Sequence, residues 1–422
     1  MRALLAAVSL LLPTATLSLG ADRFVASTGT DSGNDCLTAT SPCATVSHAT
    51  SQASSDDTIN VASGSYRDNI RMQDSATLAF LGGWNADFTS RDPRTAPSIV
   101  KAGRVQLPSF RGRERVWGIF AWNGTVIHVT IDGFVLLGGR AATPVVPDNL
   151  IGNAAAQAHA GGGLAAVAAS DSTLTFRMSN TIVTKNHDAY GGAGMSFWVL
   201  DNSALNVTLD TVQVTGNKST GAGGGILAFD APYIGTEPSS LTFRLTNGVV
   251  ANNSTVGAGG GLLTSNFQGA QGSTLDATVV SSTITRNTAK TGGRCSTTCI
   301  RLGGGGIYTN GSLHLALTDT ILYGNLIRGI GTGRDFFNEG GGSLTLDADH
   351  DDIGDIALQG GTFNDLGGNV STDPLLDRGY ELQTGSPVID AGTCTGAPST
   401  DFEGDPRPSG ATCDIGADEF QF

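Results

Sequence analysis

The densest chemistry in the chain is an acidic run: Asp347, Asp349, His350, Asp351, Asp352 and Asp355. If this segment is one regular strand, alternation places Asp347, Asp349 and Asp351 on the same face. Carboxylates held that close repel unless they are protonated or bridged by a hard cation, and an oxygen-only donor set suits calcium. Asp349, Asp351 and Asp352 are therefore the expected ligands of a calcium ion, which would also neutralise the carboxylate of a uronate sugar. A second group is cationic and aromatic: Arg294, Arg301, Arg328 and Arg334, with Asp335, Phe336, Phe337 and Glu339 among them. Guanidinium groups bind carboxylates in a bidentate fork and stack on flat rings, so this group suits a polyanionic or sugar ligand. A third, smaller constellation is Lys185, Asn186, His187 and Asp188.

These groups need a scaffold, and the chain supplies one by repetition. Strand-like runs end in asparagine at Asn186, Asn217, Asn253, Asn287 and Asn325, and Gly clusters begin at Gly161, Gly191, Gly223, Gly259, Gly303 and Gly340. The asparagines recur every 31 to 38 residues, which is one structural unit. Each unit alternates apolar and polar residues, as in Leu205, Val207, Leu209, Val212 and Val214, and no run carries the 3.6-residue period of a substantial helix. Such a unit cannot bury its apolar face alone, so units must stack, each strand pairing with its equivalent in the next. That stack is a parallel β-helix. A sandwich or a propeller is the competing architecture, but propeller blades bring more aromatic and charged signature residues than are present. Recurrent asparagine at a corner suits left-handed backbone geometry, and stacked copies form a ladder.

The two late units are longer between asparagine and Gly cluster, from Asn287 to Gly303 and from Asn325 to Gly340. Insertions at the same corner of consecutive coils become neighbours in space and commonly build a binding face. The four arginines and two phenylalanines of the second group fall in or beside these insertions, which makes them the expected ligand edge.

Composition sets the limits. Of 422 residues, 59 are Gly, only 15% are charged and 6% are aromatic. Gly without matching Pro and without a three-residue period excludes collagen, and the alternating Val, Ile, Leu and Thr exclude a disordered chain. A formal net charge of −14 disfavours nucleic acid and anionic membranes as partners. Met1 and Arg2, the apolar stretch from Ala3 to Leu12 and the small residues Ser18 and Gly20 read as a secretory signal over residues 1–20, and no later segment is apolar enough to span a bilayer. Six cysteines fall into three local couples: Cys36 with Cys43, Cys295 with Cys299, and Cys394 with Cys413. In an exported chain they read as disulfides; six cysteines allow 15 pairings, and the local scheme is preferred because short loops close more easily. The Cys295–Cys299 couple has chelation as its alternative.

Several stretches resemble known families. Phe24 to Ile70, through Gly29, Asp31, Pro42, Cys43, Asp57, Ile59, Gly64 and Tyr66, is similar to the opening cap and first coil of secreted right-handed parallel β-helix proteins. Gly82, Gly83, Trp84, Asp87 and Phe88, then Ile131, Asp132, Gly133 and Phe134, are similar to the coils that follow there. Asn217 with Gly223 to Ile226 resembles the repeat of polymorphic outer-membrane proteins. The tail, with Asp373, Pro374, Leu375, Gly385, Ser386, Pro387, Ile389, Asp390, Ala391, Gly392, Asp401, Gly404, Pro406, Arg407, Asp414 and Glu419, resembles a choice-of-anchor Q module. The resemblance implies an all-β, right-handed parallel β-helix over 21–370 with an N-terminal cap, and a C-terminal module over 371–422 folded along its end.

Activity is less legible. Glycosidases need two acids set across the sugar, and the paired-Asp, Gly-His-Gly and Arg-Ile-Lys pattern of pectin-degrading hydrolases is missing; Asp351 with Asp352 stands alone. Proton abstraction from a uronate needs a base of tuned pKa, and Lys101, Lys185, Lys218 and Lys290 lie in no lyase motif. The leading expectation is an exported, monomeric, non-catalytic module presenting a long surface to a polysaccharide or a cell-envelope component, as an adhesin would. The rival is a calcium-dependent polysaccharide lyase acting on acidic glycans.

Overall fold

A computed structural model describes residues 20–107, 110–141, 161–188, 191–230, 237–266, 272–290 and 303–422. The period-two runs are strands. In Thr173–Thr184, Leu174, Phe176 and Met178 point inward while Thr173, Thr175 and Arg177 point outward. This strand pairs in parallel with Ala204–Thr215, which pairs with Ser240–Thr246 and Val249–Ala251, and so on coil by coil through Thr274–Val280, Leu313–Thr318 and Leu344–Asp349. A second, nine-stranded sheet is built the same way, from Ile70–Met72 through Leu164–Ala168 and Ile226–Asp230 to Ile356–Leu358. A third, of five very short strands, runs from His187–Asp188 to Leu326–Arg328. Equivalent segments pairing in parallel at successive levels define a right-handed parallel β-helix, the hand that parallel crossovers take. Among the described residues the one α-helix, Val46–Gln52, belongs to the N-terminal cap, where Thr45 Oγ1 accepts the His48 N–H and Val46 and Ala49 are buried.

The core is one column of inward side chains. Trp117 lies edge-on to Phe80 and Phe134, with ring centroids 4.8 and 5.7 Å away, and Phe197 sits between Phe176 and Phe243. The predicted asparagine ladder is present. Oδ1 of Asn217 accepts the backbone N–H of Asn186 at 3.0 Å, and Asn253, Asn287 and Asn325 repeat the contact at 3.0 Å each. Each of these side chains is buried, and its Nδ2 also donates to a backbone carbonyl. The left-handed residue at this corner is not the ladder asparagine but the one before it: Lys185, Gly216, Asn252, Arg286 or Gly324. The Gly clusters are explained by the ladder: a Cβ on Gly225 would lie 2.8 Å from Asn253 Nδ2 and 2.6 Å from the Gly261 carbonyl, so no larger residue fits.

Two of the three local cysteine couples are disulfides, Cys36–Cys43 and Cys394–Cys413, with Cα atoms 5.2 and 5.1 Å apart. Cys295 and Cys299 lie outside the described residues, as do residues 1–19 of the expected signal segment 1–20. The C-terminal residues do not sit at the end of the solenoid. They lie lengthwise against its flank, because outward positions there are apolar: Phe402 and Ala417 pack on Val249 and Ala251, while Leu382, Val388 and Ile415 pack on Ile321. The segment runs back toward the early coils, where Arg94 donates to the Glu403 carbonyl.

Candidate ligand-binding face

Midway along each long strand level the chain bends. The residue at the bend is left-handed in six successive coils: Asn180, Thr211, Asn247, Ser281, Asp319 and His350 all have φ between 43° and 55°. Beyond the bend the outer surface carries the C-terminal segment. Before the bend no described residue covers the outer surface, and its side chains form straight rows because the register is unbroken. One row runs Arg177, Thr208, Arg244, Thr278, Ala316, Asp347, Asn364. Its neighbour runs His128, Thr175, Asn206, Thr242, Asp276, His314, Thr345. At the strand spacing of about 4.8 Å per level, Arg177 and Arg244 lie about 10 Å apart with Thr208 between them. The surface is flat and rich in hydroxyl and amide groups, cationic toward the N-terminal end and acidic toward the other.

At the acidic end His314 is held between two carboxylates. Its Nε2 lies 2.9 Å from Asp347 and its Nδ1 3.8 Å from Asp276. Asn364 Nδ2 donates to the other Asp347 oxygen at 2.7 Å. The Asn364 and His314 hydrogen bonds hold the Asp347 carboxyl below the ordinary carboxylate range. Asp347 is thus an ionised group with both oxygens engaged.

The predicted calcium ligands are not brought together. The strand ends at Asp349, and His350 at φ 54° breaks the alternation, so Asp351 turns into the wall instead of standing on the face. There it is fully buried and accepts N–H groups from Thr320 (2.7 Å) and Asp349 (3.0 Å), and burial pushes its carboxyl well up. Asp352 faces the C-terminal segment and accepts the Thr372 N–H at 2.9 Å; burial raises it to about 7. Asp349 pairs with Nδ1 of His350 at 2.7 Å. A carboxylate whose oxygens accept backbone hydrogen bonds inside a wall is built as a structural acceptor.

The expected cationic edge is divided in the same way. Arg328 and Arg334 are exposed, and Arg334 pairs with Asp355 at 3.2 Å. Phe336 and Phe337 are 0% and 1% exposed, so neither ring is available to a sugar: Phe336 belongs to the core column, and Phe337 stacks on Tyr308 with centroids 5.8 Å apart. Asp335 is buried at the end of the ladder. Arg294 and Arg301 lie outside the described residues. Of the third constellation, Asn186 is ladder, Asp188 is buried, and Lys185 and His187 are on the surface.

Sequence reading passed over Arg177, Arg244, Asp276 and His314, although a signal was there. Arg177, Thr208, Arg244, Thr278 and Ala316 each precede their ladder asparagine by nine residues, so aligning the coils on that asparagine assembles the row.

No family model and no curated protein matches this chain. Among solved structures, the crystal structure of pectate lyase Pel9A is similar at 12% sequence identity, over 94% of this chain and 96% of that one, with a TM-score of 0.49. The solenoid described above is defined by its own strand registers.

Proposed function

We propose that the protein is an exported, monomeric, non-catalytic β-helix that binds a polysaccharide or glycan-bearing component of a cell envelope along the open flat face. The observation that supports this most is the row Arg177, Thr208, Arg244, Thr278 beside Thr175, Asn206 and Thr242, which no described residue covers. Ligand pockets for small molecules are concave and largely apolar, whereas this face is long, flat and polar, with donors repeating at every level. Such a surface suits an extended polymer of hydroxyl-bearing units. The two disulfides fit an oxidising compartment outside the cytoplasm. Residues 371–422, in this reading a choice-of-anchor Q type module, cover the adjoining flank and leave the binding face free.

Affinity electrophoresis of the full chain through gels containing neutral or acidic polysaccharides tests this: retarded migration without sugar cleavage is the expected result, and unretarded migration in every gel overturns it. The second reading, a lyase acting on acidic glycans, is favoured by one observation, the His314 imidazole held by Asp347 and Asp276 on the same face. An unsaturated-uronate absorbance assay, with calcium and with chelator, separates the two. Product that depends on His314 would establish the lyase and remove the non-catalytic reading.

A further inference from the structure

A cavity of about 620 Å³ opens on the early coils, lined by Arg67, Asp68, Asn69, Gly103 and Arg104. Arg67 lies on Gly64–Asp68, directly in register with Lys101 on the neighbouring strand, and the two point outward side by side. Like charges opposed across strands are destabilising, and Arg104 at the cavity edge adds a third. Among the described residues none of the three pairs with a carboxylate. In a chain of net charge −14, three adjacent cations without a counter-ion stand out against the overall field. Among the described residues two acids lie nearby, and both are engaged elsewhere: Glu114, whose backbone N–H donates to the Gly103 carbonyl at 3.4 Å, pairs with Arg115 at 3.6 Å. Asp68 is 7% exposed, and its oxygens accept the N–H groups of Ser47 and Asn69, each at 2.8 Å.

The floor is shaped as well. Asn69 Oδ1 accepts the Gly103 N–H at 2.8 Å, which fixes the carboxamide, and Nδ2 has no partner among the described residues. A Cβ on residue 103 would lie 2.8 Å from that Nδ2 and block it, so glycine keeps the donor accessible. The cavity therefore offers two guanidinium groups, a nearby ammonium and a fixed amide N–H, and lacks a free acceptor of matching strength. That donor set fits an oxyanion.

We propose that this cavity binds the anionic group, carboxylate or sulfate ester, of an acidic glycan. The proposal rests on the glycan-binding reading for the identity of the carrier, and on the cavity alone for the anion. The test is a titration of the full chain, at low and at moderate salt, with inorganic sulfate, an oligogalacturonate, a sulfated oligosaccharide and a neutral cello-oligosaccharide. Variants are Arg67→Gln, Arg104→Gln and the double Arg67→Lys/Arg104→Lys; their urea midpoints and far-ultraviolet dichroism check folding. The expected result is an anion preference of at least tenfold over the neutral oligosaccharide, weakened by salt, lost in the Gln variants and partly kept by the Lys pair. The more tightly bound of the two charged oligosaccharides identifies the group. Equal binding of charged and neutral sugars, or an anion preference that survives Arg67→Gln and Arg104→Gln, overturns the cavity while leaving the face. Binding of sulfate alone, lost in Arg67→Gln, with no oligosaccharide bound, upholds an anion site but overturns the glycan as its carrier. No binding of any anion overturns the proposal outright.

Discussion

Asn325 donates its backbone N–H and its side-chain Nδ2–H to a single oxygen, Oδ1 of Asp335, at 2.8 and 2.9 Å. The asparagine ladder therefore ends on a carboxylate, and the other Asp335 oxygen accepts the Asp355 N–H at 2.9 Å. One buried side chain closes three donors that would otherwise face the last coils unpaired.

Asp335→Ala should consequently destabilise the fold by about 3 kcal/mol, since each buried donor left unsatisfied costs about 1–3 kcal/mol and local relaxation recovers part. Asp335→Asn should cost only about 1 kcal/mol: its oxygen keeps both Asn325 donors, and only the Asp355 contact is lost. Burial already raises this carboxyl, so removing its charge is not itself harmful. Urea unfolding of the three proteins measures this, and equal midpoints for Ala and wild type would show that the ladder needs no terminus.

The ladder also shows what could be read in advance. Recurrence of Asn and Gly at one spacing required stacking, because each strand's apolar side had nowhere else to go. What alternation could not reveal was the bend. His350 takes left-handed geometry where Asp319 and Ser281 do in the coils before it, so Asp351 fills the level of Thr320 and Ser282 and its carboxylate bonds to the wall. The apparent acidic face depended on a strand continuing through His350. Phe336 and Phe337 were misplaced for a related reason: two adjacent apolar residues on a strand point to opposite sides. One of them joins the core, and the other packs with Tyr308 on the outer face of the same sheet.

Phe337→Ala should accordingly act on stability. Its ring is 1% exposed and stacked on Tyr308, and truncating a buried Phe costs about 3–5 kcal/mol. Denaturant midpoints should fall, while affinity for any retained glycan stays at the wild-type value under folding conditions. A selective loss of sugar affinity with an unchanged midpoint would restore this residue to the ligand edge.

Acids buried between the solenoid and the C-terminal segment, Asp319 and Asp352 on one side and Asp414 and Asp418 within the segment itself, make its docking pH-dependent. Burial raises Asp319 and Asp414 to about 6 and Asp352 and Asp418 to about 7, from an ordinary value of 3.8. Around Asp319 the Thr393 N–H and the charges of His350 and Arg407 work against the rise without cancelling it. The folded state thus holds protons that the unfolded chain has released, so stability is fullest near pH 4 and falls as the pH rises to about 7. Proteolysis of the segment beyond residue 370 should be slower at pH 5 than at pH 8. Asp319→Asn with Asp352→Asn should flatten that difference, because an amide nitrogen then stands where each carboxylate has an oxygen without a partner. Faster cleavage at pH 5 would reverse the sign and refute the account.

The open face makes the sharpest demand. Arg177 and Arg244 stand in one row two levels apart, both clear of the C-terminal segment and outside the core. Replacing either with Gln removes a cation from the surface without opening a cavity, so unfolding midpoints should hold. A hydrogen bond to a charged group contributes about 1.5–3 kcal/mol, and solvent exposure brings each of these contacts down to about 1 kcal/mol. Each single variant should then lose several-fold in glycan retention, and the double variant more than tenfold if one polymer chain spans both sites. Thr278→Val, in the same row, should lose less, because it removes a neutral donor. Retention that is unchanged in the double variant but abolished by Arg334→Gln would move the binding surface from this face to the late corner, where Arg334 pairs with Asp355.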